Sequence, residues 1–216
     1  MVEDERQGVK KYLASIKSKS LVKKLQALEE EIEDYADQPR FPYGSSPREY
    51  QVKAYENWVA NDYKGLFAMA TGTGKTITAL NCILEGFKND NYYRFLVLVP
   101  SIPLATQWKK EASENFGFRD VIVCSSKNRT WEDELRTKAK SIAFGNKANF
   151  CVIATYSTFK GSRFQSAFFG VLGLKVNNVT LIADEAHTMG AGGMLKKLPH
   201  NIQKRIGLSA TPDRVY

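Results

Sequence analysis

No apolar run in this 216-residue sequence is long enough for a membrane-crossing helix, which takes about 20 consecutive apolar residues. No membrane partner is therefore expected. The opening residues, Met1-Val2-Glu3-Asp4-Glu5, are acidic and polar and spell no secretory signal. Cysteine is scarce. Cys82, Cys124 and Cys151 stand singly in apolar runs with no metal-ligand spacing, which predicts buried thiols in a reducing, cytoplasmic compartment. Internal repeats are not evident. Acidic residues are outnumbered, 23 against 31 Lys and Arg, and the net charge of +8 favours a polyanionic partner. What remains is an ordinary globular composition, long enough for one α/β domain with a sizeable core.

Glycine and proline are almost missing from residues 1–40, which hold only Gly8 and Pro39. There Leu21, Leu25, Leu28, Ile32 and Tyr35 alternate in steps of four and three, a single stripe of a helix. Extended backward, the stripe meets Ser18 and Ala14, too short a pattern for a coiled coil. Residues 1–40 are read as a helical arm or part of an upstream region, 41–46 as a Pro/Gly/Ser linker, and 47–216 as the main domain. Strands are predicted at 66–70, 95–99, 121–124, 150–154, 179–183 and 205–209. Helices are predicted to begin near Pro47, Lys75, Pro103 and Trp131, with a shorter one near Tyr156. Several strands are apolar throughout, as in a parallel sheet buried on both faces. Their alternation with helices predicts a doubly wound, mainly parallel α/β fold, in which ligands sit beyond the carboxyl ends of the strands.

One stretch at such an end is Met69-Ala70-Thr71-Gly72-Thr73-Gly74-Lys75-Thr76. Strand, glycine loop and helix follow in the order of a P-loop. Gly72 and Gly74 let the backbone curl so that N–H groups, with those of Thr71 and Thr73, converge on an anion. The helix from Lys75 adds its unpaired N–H groups and positive dipole end. Lys75 supplies a cation for the β- and γ-phosphates of ATP, and the Thr76 hydroxyl a ligand for Mg²⁺. Met69 occupies the position where the strict pattern has glycine, so the stretch alone also reads as a turn between strand and helix. A second stretch, Leu181-Ile182-Ala183-Asp184-Glu185, ends an apolar strand in consecutive carboxylates. Asp184 is placed to hold the same Mg²⁺ as Thr76, and Glu185 to polarise an attacking water.

Asp184-Glu185-Ala186-His187 spells a DEAH box, and Ser209-Ala210-Thr211 a Ser-Ala-Thr motif. With the glycine loop upstream, residues 47–214 resemble the first RecA-like domain of a superfamily 2 helicase or translocase. The wording around Pro100 and Ala210-Thr211-Pro212-Asp213-Arg214 looks most like motor subunits of restriction and related defence enzymes. The resemblance implies a RecA-like domain using ATP and Mg²⁺ to move on nucleic acid, DNA in preference to RNA. It implies adenine recognition by Gln51 with Arg48 nearby, although by itself Pro47-Arg48-Glu49-Tyr50-Gln51 reads as an ordinary helix start. It implies that Pro100, Ser101, Thr155 and Tyr156 touch the nucleic-acid backbone; capping of the following helices explains the same residues equally well. His187, Ser209 and Thr211 would link the ATP site to the track, while Ser209 and Thr211 also suit a turn before Pro212. A second RecA-like domain, supplying arginines and the other half of the track, is expected beyond Tyr216, and hydrolysis by this piece alone is expected to be weak. Residues 125–149, mixed in charge, read as a solvated helix with loops, or as a nucleic-acid contact. Two rival functions remain at this stage. One is an ATP-gated binding module without productive hydrolysis, against which Glu185 argues. The other is a P-loop phosphotransferase, against which the Ser-Ala-Thr motif argues.

Overall fold

The computed structural model describes residues 23–25, 27–28, 38–144, 149–188, 195–198 and 200–210. The chain divides into two compact units, Met1–Gln38 and Pro39–Tyr216. In the first, residues 23–25 and 27–28 are helical, which includes Leu25 and Leu28 of the predicted stripe. Leu21, Ile32 and Tyr35 lie outside the described residues.

The second unit is built on six strands: β1 (Lys64–Ala68), β2 (Arg94–Val99), β3 (Val121–Cys124), β4 (Phe150–Thr155), β5 (Thr180–Ala183) and β6 (Arg205–Ser209). All pairings are parallel, in the order β1-β6-β5-β2-β4-β3. The intervening helices are α1 (Glu49–Ala60), α2 (Lys75–Asp90), α3 (Ile102–Lys110), α4 (Trp131–Ala143), α5 (Tyr156–Lys160) and α6 (Ser162–Gln165).

Strand alternation divides the core into two layers. Phe95, Val97 and Val99 of β2 and Cys151 and Ile153 of β4 pack with Trp58 of α1, Leu80 and Leu84 of α2 and Trp108 of α3. Leu96, Leu98, Val152 and Ala154 point the other way, onto Trp131, Leu135, Ala139 and Ile142 of α4 and the rings of Phe159 and Phe164. The helical spacing of that α4 stripe is what seats it on the sheet. So residues 131–143, the polar part of the predicted solvated segment, bury one face and expose the other.

The predicted strands are all present, but β1 lies two residues early, leaving Met69 and Ala70 to the loop. Only β6 pairs with β1 among the described strands, and its burial alternates along its length. An edge strand of this kind lacks the continuous apolar run that marks β2 and β4. Within residues 41–46, Phe41 meets Phe116 edge-on at 5.7 Å, and just before them the Arg40 N–H donates to Phe116 O at 2.9 Å. Helix α6 was missed because it is a single four-residue turn, set off from α5 by the extended Gly161 and too short to show a helical period. Gly207 in β6 is a point of close approach: a Cβ there would sit 3.0 Å from Leu66 Cδ1 and 3.2 Å from Ala186 Cβ. The missing side chain leaves room on the sheet face for the Leu66 side chain and for Ala186, in the chain that follows β5.

Cys82, Cys124 and Cys151 are all buried, and burial pushes the Cys82 thiol up to about 12. Thiolate is the reactive form. The folded chain at pH 8 should therefore leave all three cysteines unlabelled by iodoacetamide, with full labelling after denaturation. Rapid labelling of any one in the native state would contradict this packing.

Candidate active site

The carboxyl ends of β1, β6 and β5 lie side by side, and each carries one of the motifs. The glycine loop leaves β1 with the Met69 N–H bonded to Ser209 O of β6 at 3.0 Å, and Met69 itself is half-buried. Thr73 closes the loop: its hydroxyl donates to Ala70 O at 2.7 Å. Gly72 and Gly74 adopt φ of 82° and 87°, the left-handed region open to glycine. Gly74 stands at the helix cap of α2, and no side chain satisfies the first-turn N–H groups there. Those donors are the ones an anion would meet. Thr71, Gly72 and Thr73 are exposed, and Lys75 and Thr76 are half-buried.

The acidic end of β5 is built differently. Asp184 is 7% exposed. Its N–H donates to Leu98 O of β2 at 2.8 Å, and its backbone oxygen accepts the Tyr156 hydroxyl at 2.7 Å. Its carboxylate accepts the Trp108 indole N–H on Oδ2 at 2.8 Å and the Glu185 N–H on Oδ1 at 3.0 Å. Burial pushes the Asp184 carboxyl above its ordinary range, and the Trp108 bond opposes that rise. A carboxylate offers about four lone-pair sites, so each oxygen keeps one for a further ligand.

Glu185 follows with φ of 52°, a conformation that costs a non-glycine residue about 1–3 kcal/mol and concentrates at functional sites. The Thr188 N–H and hydroxyl each donate to its carbonyl at 2.9 Å. Turned this way, its side chain lies between Lys75 and His187. Oε1 lies 3.5 Å from Lys75 Nζ of the glycine loop, and Oε2 lies 3.5 Å from His187 Nδ1. The His187 nitrogen is near but not aligned, and it makes no hydrogen bond.

Other predicted residues fall into place unevenly. Gln51 is buried, and its Oε1 accepts the Arg48 N–H at 2.9 Å, so it caps α1. Both also line a cavity of about 230 Å³ beside the loop, with Phe41, Tyr43, Tyr50 and Gly74. Ser209 is buried at the end of β6; Thr211 lies outside the described residues. Pro100 is exposed and Ser101 half-buried at the end of β2. Thr155 and Tyr156, expected at the nucleic-acid backbone, turn their side chains into the domain. Both are buried. The Thr155 hydroxyl accepts the Thr158 N–H at 3.2 Å as the cap of α5, and Tyr156 is spent on Asp184. Two residues were missed. Trp108 sits on the buried stripe of α3, where periodicity marks it only as core. Tyr50 donates its hydroxyl to Thr73 O at 2.9 Å and joins α1 to the loop; nothing in its spacing signals this.

Residues 44–214 match the model of a family described as "Type III restriction enzyme, res subunit". The chain belongs to this family. As a res-subunit family member with this all-parallel sheet, it is the first RecA-like domain of a superfamily 2 helicase or translocase, a motor-domain fold. It is 28% identical over 172 residues to a protein named DNA 3'-5' translocase XPB2 of Sulfurisphaera tokodaii, covering 77% of this chain and 31% of that one. It is 30% identical over 145 residues to a protein named as a helicase, 109L, of Invertebrate iridescent virus 3, covering 67% and 38% respectively. The chain thus spans about a third of the curated relatives it matches. Among solved structures, a nuclease-deletion mutant of the Type ISP restriction-modification enzyme LlaGI, in complex with a DNA substrate mimic, superposes with a TM-score of 0.60 at 24% identity, over 80% of this chain and 18% of that one.

Gly74→Ala should destabilise the domain by about 1–2 kcal/mol, since alanine resists the left-handed region. A urea melt of the variant that overlays the parent would contradict the loop geometry described.

Proposed function

We propose that this domain binds ATP with Mg²⁺ at the glycine loop and hydrolyses it to drive movement along DNA, in a restriction or related defence system. The observation that carries the reading is the meeting of Lys75 with Glu185, beside a buried Asp184 that keeps free lone pairs. The donors and acceptors suit the group. Uncapped N–H groups and Lys75 would grip phosphate, while Thr76 and Asp184 would hold the metal. Bound Mg²⁺ would neutralise charge gathering on the phosphate oxygens.

The chain's own residues do the rest. The loop amides of Thr71 to Gly74 fix the phosphates in place. Lys75 leaves Glu185 for the phosphate, and this frees the Glu185 carboxylate to orient and deprotonate a water. The αL backbone of Glu185 aims that carboxylate back toward the loop and away from the strand. Gln51 and Arg48, with Phe41 and Tyr43 across the cavity, would receive the adenine; the Gln51 amide nitrogen is the donor left over after capping. Positioning and charge stabilisation supply the catalysis.

DNA is favoured over RNA as the track because one relative is named a DNA translocase and the LlaGI structure holds a DNA substrate mimic. Pro100 and Ser101, at an open strand end, would face it. Because the relatives are much longer than this chain, a second RecA-like domain would be its partner. That domain would contribute arginines, whose absence can cost ~10³–10⁵ in rate. His187 beside Glu185, and Ser209 bonded to the start of the loop, would relay the nucleotide state to the track. Among the described residues no helix is long and apolar enough to cross a membrane.

Glu185→Gln in the full-length protein should keep ATP·Mg²⁺ binding and lower DNA-stimulated hydrolysis by about 10²–10⁴-fold. Lys75→Ala should lose nucleotide binding itself. Unchanged turnover in Glu185→Gln would remove Glu185 from the mechanism, and full binding by Lys75→Ala would remove the loop.

A further inference from the structure

We propose that Trp108 is a positioning residue for the Asp184 carboxylate, holding it in the orientation in which it receives a divalent cation. This rests on the reading of Asp184 as a magnesium ligand and adds a residue to it. Trp108 is 1% exposed and packs among Ala105, Ala112 and Phe116 on the sheet. A buried indole N–H needs an acceptor. Most such groups find a backbone carbonyl, as Trp58 does with Arg205 O at 2.9 Å. Trp108 instead reaches across 76 residues of sequence to a side-chain carboxylate.

The consequence follows from counting donors. The Trp108 N–H takes one site on Oδ2 and the Glu185 N–H one on Oδ1. The two donors hold the carboxylate plane from opposite oxygens, which stops rotation about the Cβ–Cγ bond. The backbone is pinned as well, by Leu98 O and the Tyr156 hydroxyl. Indole nitrogen only donates; it cannot ligate a metal and cannot compete for one. An outer partner of this kind orients a ligand without occupying the coordination sphere, and its loss commonly costs 10–100-fold in metal affinity.

The test uses the 216-residue chain with ADP and Mg²⁺. Trp108 has an indole ¹H–¹⁵N cross-peak, assigned through its contacts in α3. That peak should stay in place when ADP is added alone and move when Mg²⁺ follows, while the Trp58 and Trp131 indole peaks hold still. Trp108→Phe should bind ADP alone as the parent does but lose about 10-fold of the Mg²⁺-dependent gain in affinity. A stationary Trp108 peak, or a full Mg²⁺ gain in Trp108→Phe, overturns the proposal. If Trp108→Phe does not fold, the cross-peak of the unaltered chain decides alone. Asp184→Asn separates the two levels. Loss of the Mg²⁺ gain there, with retention in Trp108→Phe, rejects the role of Trp108 and leaves the metal reading standing. Retention in Asp184→Asn removes Asp184 as a ligand and rejects both.

Discussion

Two carboxylates sit at the end of one parallel strand, and the site depends on keeping them in different states. Asp184 is drawn into the sheet, where desolvation works against its charge and the Trp108 and Glu185 N–H groups answer it. Glu185, one residue on, is thrown out by a left-handed backbone and stands between Lys75 and His187. One peptide unit thus separates a buried, doubly hydrogen-bonded acceptor from a half-exposed one. A metal ligand benefits from the first environment, because an immobile oxygen costs nothing to order on binding. A base benefits from the second, because it must approach water and give up a partner.

The topology supplies the convergence. In a sheet ordered β1-β6-β5-β2-β4-β3, the glycine loop and the acidic strand end are separated only by β6. Gly207 leaves room beside that strand for the Leu66 side chain and for Ala186, just past the acidic pair. Lys75 and Glu185, 110 residues apart in sequence, then fall within 3.5 Å. The ion pair is not itself a strong source of stability, since desolvation offsets much of its Coulomb gain. In the proposed mechanism its interest lies in what it leaves exchangeable: a lysine already aimed at negative charge, and a glutamate that would be released when that lysine meets phosphate.

The parts of this arrangement legible in the sequence are those fixed by local chemistry. Glycines that need φ above zero, apolar strands that end in carboxylates and the helical stripe of α4 all announce themselves at short range. Edge strand β1 announced its presence but not its bounds, because half of its face is exposed and its apolar pattern blurs into the loop. Tyr156 and Thr155 were ambiguous for another reason. A hydroxyl at a strand end can cap a helix, serve a neighbouring strand or grip phosphate, and spacing alone does not choose among the uses. Trp108 was invisible as a site residue because its ring belongs to the core; its single polar atom acts across a distance that periodicity does not encode.

The central claim is that one metal–nucleotide complex is gripped jointly by the glycine loop and by the end of β5. Paramagnetic Mn²⁺ in place of Mg²⁺ tests this most directly. With a non-hydrolysable ATP analogue bound to the isotopically labelled chain, a small amount of Mn²⁺ should broaden the amide resonances of Thr76, Asp184 and Glu185 together, and far less without the nucleotide. Broadening confined to one of the two segments, or equal with and without nucleotide, would contradict the shared site.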